Sequence, residues 1–248
     1  MKKYVVTASL LAGFSMISGT AFAQVGTVGA GLAHTDTDFG DADAMSLNGG
    51  VAIPTGGNLT VLLDGSYSTD DDNDVDILTG TAHLISRDAN GAWGGFAGLG
   101  NVDGGGGDVG LWTVGGEYAA FFDSSTFVAT VAYANADDVN VDIMGVSGEY
   151  RMFLNDDLRV DFGGGYANID GGGADADAFQ VGAGVEYRFT GTPFSIGANA
   201  SYIDTDGGGD ATVIGATLRF DFGNGSLKAR DRTGNTFGSF GGLQTFLQ

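Results

Sequence analysis

Phe179-Gln180-Val181-Gly182-Ala183-Gly184-Val185-Glu186-Tyr187-Arg188-Phe189 alternates in character along its length. Successive side chains of an extended chain point to opposite faces. Phe179, Val181, Ala183, Val185, Tyr187 and Phe189 therefore share one face, and Gln180, Gly182, Glu186 and Arg188 share the other. The same period runs through Leu59, Val61, Leu63, Gly65 and Tyr67, through Leu158, Val160, Phe162, Gly164 and Tyr166, and through Phe194, Ile196, Ala198, Ala200 and Tyr202. Such segments read as long antiparallel strands with one apolar face. Dividing the chain at its turn signals predicts twelve of them, at 25–34, 43–53, 58–68, 76–86, 92–102, 109–121, 126–135, 139–153, 157–167, 177–189, 194–203 and 211–222.

The connectors alternate in kind. Pro54-Thr55-Gly56-Gly57, Arg87-Asp88-Ala89-Asn90-Gly91, Asp123-Ser124-Ser125, Asn155-Asp156 and Gly191-Thr192-Pro193 are tight, whereas 35–42, 69–75, 103–108, 136–138, 168–176 and 204–210 are Asp- and Gly-rich loops. One end of the molecule is thus strongly acidic. An even number of strands of about ten residues, with tight turns at one end and looser loops at the other, is what a transmembrane β-barrel requires, because closure leaves no unpaired backbone edge in lipid. Leu59 precedes Tyr67, Leu158 precedes Tyr166 and Phe194 precedes Tyr202 by eight residues, while Phe127 precedes Tyr133 by six. Eight tilted strand residues climb roughly 20 Å, close to the ~25 Å apolar band of such barrels. Tyr67, Tyr133, Tyr166 and Tyr202 then mark one interface, and Tyr118, Tyr150, Tyr187, Phe220 and Phe222 the other, as an aromatic girdle. The expected fold is all-β: a transmembrane antiparallel up-and-down β-barrel of twelve strands, with eight or ten as alternatives.

Composition narrows the classes further. The 248 residues include 46 Gly and no Cys, which excludes a disulfide scaffold and makes long helices costly. A formal charge of −21 argues against nucleic acid as a partner. Only Glu117, Glu149 and Glu186 are Glu, so Asp supplies nearly all the acid, as turns and loops favour. Residues 1–23 open with Lys2-Lys3, continue through an apolar run too short to span a membrane, and end in Ala21-Phe22-Ala23. That pattern predicts a secretory signal peptide cleaved after Ala23, leaving a barrel at 24–223 and a periplasmic extension at 224–248.

The export signal, the Asp and Gly hairpins, and a last strand ending Leu218-Arg219-Phe220-Asp221-Phe222 resemble small porin-like outer-membrane β-barrel proteins of Gram-negative bacteria. The likeness spans roughly Gln24 to Gly223. It implies the bacterial outer membrane as the location and lipid with lipopolysaccharide as the surroundings. Members of that group usually stop at a terminal aromatic of the last strand, an assembly signal. Here the chain continues from Asn224 to Gln248, so that either Phe220 and Phe222 serve internally or Phe246 does.

Inward-facing charge is the candidate for function. Glu117-Tyr118, Glu149-Tyr150-Arg151 and Glu186-Tyr187-Arg188 recur on returning strands, with Arg159 and Asp161 on an outgoing one and Arg219 and Asp221 on the last. Together with Asp64 they predict a pore-lining charged belt toward the tight-turn end. The belt reads either as a salt-bridged brace or as a constriction that filters solutes. Twelve strands fall between the eight whose interiors fill with side chains and the wide porins. The expected function is a porin-like channel for passive diffusion of small solutes, preferring cations because acidic loops concentrate them. A non-conducting structural or adhesin-type surface barrel is the alternative.

No catalytic residue and no cofactor is expected. No G-x-S-x-G occurs, His34 ends the first strand near the acidic rim, and His83 reads as a neutral filler of the lumen. Asp70, Asp72 and Asp74 have the spacing that opens a calcium loop, but Val75 and Thr81 stand where Gly and Glu would complete it, so no dedicated metal site is expected. The tail carries Lys228, Arg230 and Arg232 ahead of Phe237, Phe240, Leu243, Phe246 and Leu247. Three readings stay open for it: a disordered extension, a plug whose cations meet the belt, or a periplasmic contact.

Overall fold

The computed structural model describes residues 25–238 apart from 39, 71–74, 106, 172–173, 208, 224 and 235. The predicted signal peptide at 1–23, Asp72, Asp74 and the last ten residues, with Phe240, Leu243, Phe246 and Leu247, lie outside them. Twelve strands follow in order: β1 (Val25–Thr37), β2 (Gly40–Gly56), β3 (Leu59–Asp70), β4 (Val75–Arg87), β5 (Gly91–Gly104), β6 (Gly107–Phe121), β7 (Ser125–Ala136), β8 (Val141–Asn155), β9 (Leu158–Gly171), β10 (Ala174–Arg188), β11 (Phe194–Thr205) and β12 (Gly209–Phe222). Each pairs antiparallel with its chain neighbours, and β12 closes on β1 through registers such as Val28 opposite Phe220 and Gly29 opposite Arg219. All backbone edges are thereby satisfied.

The strands run past the expected ends into the acidic segments. Thr35 pairs with Ala42 and Thr37 with Gly40, and Val141 and Ala174 both pair with Gly171. Asp and Gly are weak strand formers, which is why the sequence reads as loop there, but a ladder supplied by the partner strand outweighs that preference. The eighth strand begins later than expected. A single 3-10 turn at Asp137–Val139 and a left-handed Asn140 (φ 53°) occupy its predicted start.

Leu99 is 71% exposed and Trp93 64%, and Leu32, Leu84, Met144, Ile214 and Leu218 share their outward parity. A water-soluble sandwich would hide these side chains, whereas a barrel wall offers them to hydrocarbon. The interior is not uniformly wet. Toward the acidic end Phe96, Leu111, Ala132, Ala134, Ile143 and Ala167 point inward and form an apolar cluster. Gly115 belongs to this arrangement, since a Cβ there would overlap the Phe96 ring and the Val131 carbonyl. A second inward apolar cluster, at the tight-turn end, joins Ala52, Leu62, Ile85, Ala92, Ala119 and Val128 to Phe237 of the tail.

The chain does not trail away after β12. Ser226 caps a helix α1 (Leu227–Thr233), its Oγ accepting from the Ala229 N–H at 3.1 Å, and Leu227 is fully buried. Residues 225–234 and 236–238 turn back into the tight-turn mouth of the barrel, which corrects any reading of that stretch as a disordered extension. The sequence around Ser226 carried the signal, because a Ser followed by Leu, Lys, Ala and Arg with Gly at the far end is a capped short helix.

Candidate functional site

All ten charged residues of the expected belt share the lumen-facing side of their strands, but they fall into two groups. On one wall Glu149 and Arg151 of β8 form a two-pronged pair (2.6 and 2.8 Å), because residues two apart on a strand share a face. Arg159 meets Asp161 at 3.1 Å on its own strand and Glu186 at 3.3 Å on the next. Glu186 is the hub: it also accepts from Ser195 (2.6 Å), Arg219 (3.5 Å) and Arg230 (2.6 Å). Arg188 turns to Asp157 (3.1 Å) and the Gly225 carbonyl (2.6 Å) at the mouth.

The other group lies on β3, β4 and β6. His83 is fully buried, with Nε2 2.7 Å from Asp64 and Nδ1 3.0 Å from Glu117. Both ring nitrogens are thus held by carboxylates, so His83 is a bonded member of the belt and not the isolated filler expected from sequence. With both nitrogens engaged, the ring has none left to take a proton from a serine, so no hydrolytic triad forms around it. His34 lies on the outer wall and contacts Asp43 at 2.8 Å. Among the described residues no group of three or more Asp, Glu or His is placed to hold a metal ion. Asp70 ends β3.

The tail completes the belt. Arg230, 2% exposed, bridges Glu186 and Asp221, and Asp231 bridges Arg151 (2.6 Å) and Thr126 (2.6 Å). Burial alone would lower the pKa of the Arg230 guanidinium, but the flanking carboxylates of Glu186 and Asp221 raise it overall, so the group stays charged. Arg87 donates to the Thr236 hydroxyl (2.8 Å) and to the carbonyls of Arg232 and Gly234, while Arg151 reaches the Thr236 carbonyl (2.6 Å). Arg232 donates to the carbonyls of Phe122 and Asp123 and lies over the Phe121 ring. Sequence reasoning named Arg230 among the tail cations that could meet the belt but missed Arg87, Thr126 and Asp231. Arg87 was assigned to a turn, and the tail partners became visible only when the chain doubled back.

Between the apolar cluster and the tail lies a lumen cavity of about 440 Å³, lined by Ser46, Thr130, Ser147, Gln180, Asn199 and Ser201, with Glu149, Arg151 and Asp161 near its floor and Gly238 of the tail reaching it. Inward glycines such as Gly163, Gly182 and Gly215 keep this space open. On the outer wall Tyr118, Tyr150, Tyr187 and Phe220 stand exposed near the tight-turn end, and Phe222 is half-buried there. Toward the acidic end, Tyr67 donates to Asp76 (3.0 Å), Tyr166 to Asp177 (2.6 Å) and Tyr133 to Asp142, and Tyr202 pairs with Asp210. These pairs give each ring one greasy side and one anchored polar tip, as an interfacial aromatic needs.

No family model matches the sequence, and no curated protein matches it. Solved structures do. The chain is similar to the COG4313 outer membrane channel from Pseudomonas putida F1 (TM-score 0.59, 12% identity, 83% of this chain and 97% of that one). It is similar to the translocator domain of autotransporter NalP from Neisseria meningitidis (TM-score 0.55, 12% identity, 89% and 98%). It is also similar to the KdgM porin in complex with disordered oligogalacturonate (TM-score 0.54, 9% identity, 78% and 99%). The chain therefore has the fold of outer-membrane β-barrel porins and channels, a closed antiparallel barrel of twelve strands.

Proposed function

We propose that this chain is a porin-like channel of the bacterial outer membrane, exported on residues 1–23 with cleavage after Ala23, and passing small solutes by diffusion with a preference for cations. The observation that carries the reading is a polar, glycine-walled cavity of about 440 Å³ inside a barrel whose outer wall is apolar. Asp64, Glu117, Glu149, Arg151, Arg159, Asp161, Glu186, Arg188, Arg219 and Asp221 would line the path, and the outward tyrosines with Phe220 and Phe222 would seat the barrel among lipid and lipopolysaccharide. Cation preference follows from the −21 charge and from aspartates crowding one end, since an acidic entrance raises the local cation concentration.

Recording in planar bilayers under a salt gradient tests this. The reversal potential is expected to shift toward the cation's equilibrium value, and the shift is expected to shrink as salt screens the acidic end. An anion-preferring current contradicts the selectivity. A second reading, a non-conducting surface barrel, is favoured by one observation: the tail occupies the tight-turn mouth.

A further inference from the structure

The tail's contacts come from all around the barrel wall. Its charged and polar groups meet Arg87 of β4, Thr126 of β7, Arg151 of β8, and Glu186 and Asp221 of β10 and β12. Its Phe237 joins the buried cluster of Ala52, Leu62, Ile85, Ala92, Ala119 and Val128, inward residues of β2 through β7. A segment held only along one side would narrow the mouth. One held from opposite walls, with Gly238 reaching the cavity, closes it.

The wall also retains most of its pairing without the tail. Arg151 keeps Glu149, and Glu186 keeps Arg159, Arg219 and Ser195. Among the described residues the Asp221, Arg87 and Thr126 side chains pair with the tail alone. A belt with its own internal partners can lose the insert without leaving a ring of unpaired buried charges, the outcome that makes most buried ion pairs costly to break. The described part of the insert is one seven-residue helix followed by Gly234 and residues 236–238, and Gly225 and Ser226 precede it after β12.

We propose that residues 225–238 form a resident plug that holds the channel shut, and that its withdrawal opens the path between the two ends. This rests on the channel reading above, and the experiment separates the two. Three proteins are recorded in planar bilayers, each first shown to be a folded, heat-modifiable barrel: the full chain, a chain ending at Gly225, and the full chain carrying Thr126→Cys with Asp231→Cys. Those two side chains touch through oxygens 2.6 Å apart, and the protein has no other cysteine to compete. The cysteine pair keeps the proposal testable even if the shortened chain folds poorly.

The expected result is brief or small openings from the full chain, a severalfold larger steady current from the shortened chain, and a paired-cysteine protein that is silent when oxidised and conducts on reduction. Equal currents from the full and shortened chains, unaffected by oxidation of the cysteine pair, overturn the plug and leave the channel reading standing. Silence from a folded shortened chain and from the reduced cysteine protein overturns the channel reading, and the plug with it.

Discussion

Glu186→Leu is expected to lower the unfolding free energy of the barrel by about 3–5 kcal/mol, the loss typical of removing one partner from a buried ion pair. Glu186 is 3% exposed and is the one carboxylate shared by Arg159, Arg219 and Arg230. Leucine would leave three guanidinium groups crowded in the lumen with Asp161, Asp221 and Glu149 as the remaining nearby acids. A urea titration of the vesicle-folded protein, followed by Trp93 and Trp112 fluorescence, measures the change. Adding Arg230→Leu to the same chain should recover part of the loss, because the most tightly held of the three cations is then removed. A loss no larger than that of an exposed ion pair, about 1 kcal/mol or less, would show that the belt is as hydrated as an ordinary surface.

Phe237→Ala is expected to undock the tail. Truncating a buried Phe in a closed apolar cluster costs about 3–5 kcal/mol, and no other described aromatic of the tail shares the load. Lys228, Arg230 and Arg232 then become accessible to trypsin, whereas in the parent chain Arg230 is buried and the helix is seated in the mouth. Limited proteolysis of the folded barrel should remove the end of the variant much faster than that of the parent, with the barrel body untouched in both. Equal cleavage rates would mean that the ion pairs alone hold the segment.

Period-two alternation was enough to place twelve strands and to assign the facing of Asp64, Glu117, Glu149, Arg151, Arg159, Asp161, Glu186, Arg188, Arg219 and Asp221, because facing depends only on parity within a strand. Strand ends were less legible. Thr35, Asp36 and Thr37 read as loop by composition, yet they pair in full with β2 and β12. The apolar interior cluster was also hidden. Phe96 and Leu111 sit on strands whose outward faces already carry Trp93, Leu99 and Trp112, so both faces are apolar in part and alternation has little contrast there.

The sequence by itself determined the class of fold, the outward and inward faces, and the acidic and tight-turn ends, since all of these follow from local chemistry repeated along a strand. Only the tertiary structure decided which charges meet. His83 lies between Asp64 and Glu117, Arg230 reaches Glu186 and Asp221, and Asp231 reaches Arg151, because closure of the sheet and the reversal after β12 bring together residues as far apart in the chain as Arg87 and Thr236, 149 positions. Local pattern carries no information about such distances. Whether the lumen is a passage or a stoppered vessel is set by those contacts.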